Sequence, residues 1–191
     1  MKCIICKKYS LKLICQTCQD HFLQPKLLTR TLPDGFKIYS FYHYRDIEDL
    51  IKTKHTHVGA SVYAILAQNA FKKFSDTFTF INPVYALAID DRVKSGYSHT
   101  AILTRALKSQ HIKPVFASLR AQNHVTYSAK SLQFRLENPR SFIYRFKRDI
   151  DVILVDDIVT TTSTINEAKN LLLKHEVNPM FALTIADAKE A

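Results

Sequence analysis

Apolar positions along this chain fall into two alternating patterns, compact runs and helical stripes. Residues 36–44 are rich in aromatic and β-branched side chains and predict a strand. Ile47, Leu50 and Ile51 then recur at helical spacing, and Val62, Ile65, Leu66, Ala70 and Phe74 put one apolar side on a second helix over 61–74. The run 84–89 predicts a strand, Ala101, Ile102, Arg105 and Ala106 predict a helix over 98–108, and 114–119 is a short strand between turn-prone residues. The clearest unit is Asp151-Val-Ile-Leu-Val155, followed by a polar loop, a helix over 163–175 carrying Ile165, Ala168, Leu171 and Leu172, and a last strand over 180–185. Strands apolar on both faces that alternate with helices predict a doubly wound α/β fold with a mainly parallel sheet. Ligands in such sheets sit at the carboxyl ends of the strands.

Length and composition sharpen this picture. A chain of 191 residues holds one good core plus a small appendage, and 47% hydrophobic with 23% charged residues excludes a disordered or fibrous protein. Pro25, Pro33 and the Asp34-Gly35 turn signal separate a Cys-rich start from the rest, predicting a module over 1–30 and a main domain over 31–191. No window is apolar enough to span a membrane and no export signal is visible, so the expected compartment is the cytosol, where thiols stay reduced.

Charge is spread unevenly. Of the net +10, the segment from Arg92 to Arg148 carries twelve Lys/Arg against a single acid, Glu137. A stretch so unopposed suits a polyanionic partner such as nucleic acid, an anionic membrane surface or a phosphorylated ligand, although a solvated basic face would look the same.

All four cysteines lie in the first eighteen residues, as Cys3-x2-Cys6 and Cys15-x2-Cys18. Two such knuckles bring four thiolates to one point and complete the closed tetrahedral shell of a structural zinc. Two disulfides or a redox-active pair would use the same residues, and the expected reducing compartment favours the metal. His21 is a spare ligand once four sulfurs fill the shell.

A second constellation runs from Val152 to Thr164. Asp156 and Asp157 end the buried strand, and Thr160, Thr161, Thr162, Ser163 and Thr164 open the following helix. Paired acids there can accept hydrogen bonds from vicinal ribose hydroxyls or lie near a magnesium ion held by a diphosphate. Loop hydroxyls and the free N–H groups of a helix start suit a phosphate monoester. A helix cap alone would use one such hydroxyl rather than five in a row.

This segment resembles the phosphoribosyl diphosphate (PRPP) motif of type I phosphoribosyltransferases. By that resemblance Asp156 and Asp157 bind the ribose and Thr160 to Thr164 wrap the 5′-phosphate, with magnesium accompanying PRPP. One position departs: Thr162 stands where those enzymes usually carry glycine, which weakens the expectation of efficient turnover more than that of binding. Together with the cysteine pairs, the motif resembles the ComF family of competence proteins. Ser95-Gly96-Tyr97-Ser98-His99 is similar to a diverged Arg-Gly-Phe/Tyr-Asn block, with Arg92 or Lys94 supplying the charge, and Arg135 to Phe142 to its Arg-x-x-Asn block, with Arg120 opening that region. Lys52 and Lys54 fall where the family carries lysine near a glycine, matched by Gly59.

The resemblance implies a role in natural transformation: retention of the PRPP site, contact with incoming single-stranded DNA, docking to DNA-uptake proteins, and peripheral association with the inner membrane. Candidate DNA contacts are Arg92, Lys94, Arg120, Arg135, Arg140, Arg145, Lys147 and Arg148, with Tyr97, Tyr127, Phe134, Phe142, Tyr144 and Phe146 available to stack on bases. An active transferase and a purely structural adaptor are the competing functions. His99, His111 and His124 are the candidate bases for the former.

Overall fold

The computed structural model describes residues 1–90, 96–122 and 140–189. Seven described strands form one sheet in the order β1-β2-β7-β6-β3-β4-β5. These strands are β1 (Leu28–Thr31), β2 (Lys37–His43), β3 (Val84–Asp90), β4 (Ile112–Ala121), β5 (Phe142–Tyr144), β6 (Asp151–Val159) and β7 (Asn178–Asp187). The five inner strands run parallel, and each edge strand is antiparallel to its neighbour. The expected mainly parallel α/β sheet is therefore present.

Six α-helices are described: α1 (Gln16–Phe22), α2 (Tyr44–Lys52), α3 (Gly59–Ala67), α4 (Lys73–Thr77), α5 (His99–Ala106) and α6 (Ser163–Lys174). A π turn, Gln68–Lys72, joins α3 to α4, so the stripe predicted over 61–74 belongs to one longer helical run. None of the described helices is long and apolar enough to cross a membrane.

Strand alternation splits the core in two. In β6, Ile153 and Val155 face a cluster containing Val62, Leu66 and Phe71 of the α3 run and Leu103 of α5. Val152 and Leu154 face the opposite cluster, where Ile165, Ala168 and Leu172 of α6 pack. All four β6 side chains are fully buried, each worth roughly 1.5–3 kcal/mol. The chain moves one way along the sheet from β3 to β4 and the other way from β6 to β7. With right-handed crossovers, opposite directions put the two connecting helices on opposite faces, and the crevice between β3 and β6 is the switch point where ligands bind.

The start of the chain is built into the same core. Cys3, Ile14, Cys18 and Leu23 share the α3-side cluster, and the buried Gln19 accepts a 2.9 Å bond from Asn69 in the π turn. The Tyr42 hydroxyl donates to the Leu23 carbonyl at 2.9 Å. The Asp34-Gly35 signal does make a turn, with Gly35 at φ +86°, and it closes the β1–β2 hairpin. β1 runs across the module boundary expected at residue 30.

Candidate functional site

The four cysteine sulfurs lie within 4.8 Å of one another. Cys6 Sγ and Cys15 Sγ are 3.7 Å apart, close to the roughly 3.8 Å edge of a tetrahedron with zinc–sulfur bonds of about 2.3 Å. The first knuckle turns back through Lys7 at φ 61°, and the Cys15 N–H points at Cys3 Sγ from 3.4 Å. Burial opposes ionisation of Cys3, but backbone donors from Cys15, Cys6 and Ile5 outweigh it and hold that thiol at about 6. Burial, reinforced by the neighbouring sulfurs, pushes Cys18 up to about 12. Four sulfurs so close cannot all ionise without a cation between them, so the donor set fits a closed metal shell.

At the other end of the core, β6 continues four residues past its predicted limit and carries both acids before releasing the chain at Thr160. Thr162 then takes the left-handed conformation, φ 63° and ψ −8°, and α6 begins at Ser163. The geometry that a glycine would adopt freely is thus imposed on a β-branched residue, at a cost on the order of 1–3 kcal/mol. Val159 to Thr162, with Ile158, Thr164 and Ile165, line a recess of about 180 Å³ counted out to open solvent. The Thr161 and Ser163 hydroxyls lie 2.9 Å apart.

The acids are held differently. Asp156 is half-buried and accepts the Asp157 N–H at 2.8 Å. Asp157 is 8% exposed, with Lys54 Nζ at 3.1 Å and His99 Nε2 at 3.4 Å from its Oδ2. Burial works against its charge, but Lys54 and then His99 outweigh burial and hold the carboxyl below the usual carboxylate range. The buried Tyr63 hydroxyl lies beside it without a hydrogen-bond partner among the described residues. Burial and then the Asp157 charge push that phenol far up.

Lys54 is itself supported. Its carbonyl accepts the Tyr97 hydroxyl at 2.6 Å, and Tyr97 lies against Gly59, where a methyl would overlap both that hydroxyl and the Thr53 carbonyl. Lys52 instead pairs with Glu48 at 2.9 Å on the surface of α2. Of the candidate bases, His99 reaches the site, His111 bonds the Phe80 carbonyl at 3.0 Å, and His124 lies outside the described residues.

Solved structures with a similar fold include a hypoxanthine phosphoribosyltransferase from Staphylococcus aureus, at 14% identity and TM-score 0.40 over 67% of this chain. An adenine phosphoribosyltransferase matches at 14% identity and TM-score 0.45 over 89% of this chain and 88% of its own. Adenine phosphoribosyltransferase from Saccharomyces cerevisiae, complexed with an imino-altritol bisphosphate and adenine, matches at 14% and 0.43 over 84% of each chain. This chain spans 64% of the length of the Staphylococcus aureus enzyme. No protein-family model and no curated protein matches the sequence.

Among the described residues, the basic candidates do not converge. Arg120 is exposed at the carboxyl end of β4. Lys147 and Arg148 lie toward the amino ends of the strands: Lys147 sits 5.7 Å over the Tyr85 ring, and Arg148 pairs with Glu176 at 3.3 Å. The exposed Arg145 continues the β5 edge, donating its N–H to Ser118 at 2.8 Å, and Arg140 is half-buried with its N–H on Glu167 at 3.0 Å. Arg92, Lys94 and Arg135 lie outside the described residues, as do Tyr127 and Phe134. Phe142 and Tyr144 are buried in the α6-side core and so are withdrawn from any stacking role, whereas Phe146 is 37% exposed.

Two site residues have no signal in the sequence. Arg30 in β1 forms an ion pair with Asp187 at the end of β7, its Nε 2.6 Å from Asp187 Oδ2, and donates to the Thr160 carbonyl at 2.6 Å. Burial opposes the Asp187 charge, but Arg30 and the Lys189 N–H outweigh it and hold this carboxyl low.

Proposed function

We propose that this protein binds PRPP at the carboxyl end of β6 and acts as a ComF-type competence protein that handles incoming single-stranded DNA. The observation that carries the PRPP reading is the Asp156-Asp157 pair at a switch point, leading through a left-handed turn into a hydroxyl-lined recess at the start of α6. Asp156 and Asp157 receive the ribose hydroxyls, and the hydroxyls of Thr160 to Thr164 with the first N–H groups of α6 receive the 5′-phosphate. Magnesium, arriving with the diphosphate, neutralises its charge. Among the described residues only the four cysteines cluster as metal ligands, which fits a magnesium carried by its ligand and a zinc held by Cys3, Cys6, Cys15 and Cys18.

PRPP with magnesium is expected to raise the thermal midpoint of the folded chain, since it binds only the native state. Asp156→Ala is expected to abolish that rise; an unchanged rise would place the ligand elsewhere. The DNA reading rests on the ComF resemblance and on the twelve unopposed basic residues between Arg92 and Arg148.

Turnover is the second reading, and one observation favours it. His99 Nε2 stands 3.4 Å from Asp157 Oδ2, an imidazole beside the acid pair. Diphosphate release on adding an acceptor would establish a transferase; its absence with PRPP bound would leave a binding module.

A further inference from the structure

Thr162 is held in a conformation that a threonine does not adopt unaided, and such a turn persists only where its surroundings fix both sides. After it, the Asn166 N–H bonds the Thr162 carbonyl at 2.9 Å and begins α6. Before it, the fixed point is the Thr160 carbonyl, which accepts Arg30 Nη1 at 2.6 Å. Arg30 stays in place because its other donors engage Asp187, whose second lone pairs take the Lys189 N–H at 2.6 Å. The pair is largely enclosed, with 15% of the Arg30 side chain and 8% of the Asp187 side chain exposed. A planar guanidinium can serve a carboxylate and a carbonyl together, which an ammonium cannot do in the same geometry.

Building on the phosphate-site reading above, we infer that Arg30, oriented by Asp187, is the positioning residue of the phosphate loop: it fixes the Thr160 carbonyl and keeps the Thr162 turn in the shape that grips a phosphate monoester. In a chain with glycine at that turn no such clasp is required.

The test compares Arg30→Gln, Thr162→Gly and the double variant. Amide hydrogen exchange in the ligand-free chain comes first, because it needs no PRPP. Arg30→Gln is expected to speed exchange at Asn166, whose N–H bonds the Thr162 carbonyl, by about tenfold or more, with Ile153 to Val155 in β6 unchanged. Faster exchange throughout β6 would make Arg30 a general structural residue, and unchanged exchange at Asn166 would remove the clasp; either result overturns the inference. Calorimetry with PRPP and magnesium follows. Arg30→Gln is expected to weaken binding about tenfold, and adding Thr162→Gly to return it to within about threefold of the parent. Failure of that rescue also overturns the inference. If the parent chain itself ignores PRPP, the phosphate-site reading falls and exchange at Asn166 alone decides the clasp. Arg30→Lys, which keeps the charge but not the fork, gives the same direction of change should Arg30→Gln fail to fold.

Discussion

Asp157 carries its negative charge in a nearly closed space because Lys54 and His99 supply the compensation that water would otherwise give. Its carboxyl is held below the usual range, so the stabilisation is complete above an ordinary carboxylate pKa of about 4 and is lost as the pH falls through the lower native value. The thermal midpoint of the parent is therefore expected to exceed that of Asp157→Asn near neutrality, with the gap narrowing below about pH 4. A pH-independent gap would mean that the charge is not what stabilises. Gly59 offers a second measurement at this scale. Gly59→Ala pushes a methyl into the Tyr97 hydroxyl and the Thr53 carbonyl, and is expected to cost roughly 1–3 kcal/mol in denaturant titration while weakening any ligand held by Lys54. Neither partnership was legible in the sequence: Lys54 and Asp157 are 103 positions apart, and Arg30 and Asp187 are 157 apart. The local run of acids and hydroxyls was legible, because one strand end and one helix start supply all of it.

At the scale of elements, burial explains which parts the sequence declared. β6 and β7 are covered on both faces, so their apolar runs stand out, and β3 does so for the same reason. β1 is a short edge strand of mixed polarity, β5 is only three residues long, and α1 grows out of the second cysteine knuckle with no apolar stripe of its own, so none of the three was visible. Their order comes from docking against the sheet and the core rather than from a pattern of their own. Removal of zinc by a chelator, or Cys18→Ser, is expected to lower the thermal midpoint by many degrees and to expose the Gln19–Asn69 contact to solvent, with elemental analysis giving a single zinc per folded chain. A midpoint unaffected by chelation would leave the sulfurs without a metal to hold.

Across the whole molecule, positive charge lies at both ends of the sheet, with Arg120 at the carboxyl ends and Lys147 and Arg148 toward the amino ends. On the proposed DNA-binding role, a single strand would have to track the edge past Arg145 to use both groups. Affinity for single-stranded DNA is expected to fall steeply with salt, and each phosphate contact removed is expected to shallow the log–log slope by about 0.7. Lys147→Ala with Arg148→Ala, and Arg120→Ala separately, should then act additively, because the two groups share no partner among the described residues. A flat salt response would refute phosphate contact.

The helical run that starts at Gly59 has a consequence for the traffic between these regions. Its first turn lies against the Tyr97 hydroxyl that steadies Lys54, while its widened turn, some ten residues on, grips Gln19 of the cysteine module roughly 15 Å away along the axis. A rod pinned at both ends passes on a displacement of either. Loss or oxidation of the sulfurs is therefore expected to reach the Lys54 ammonium facing Asp157, with faster amide exchange in the first turn of α3 as the measurable sign.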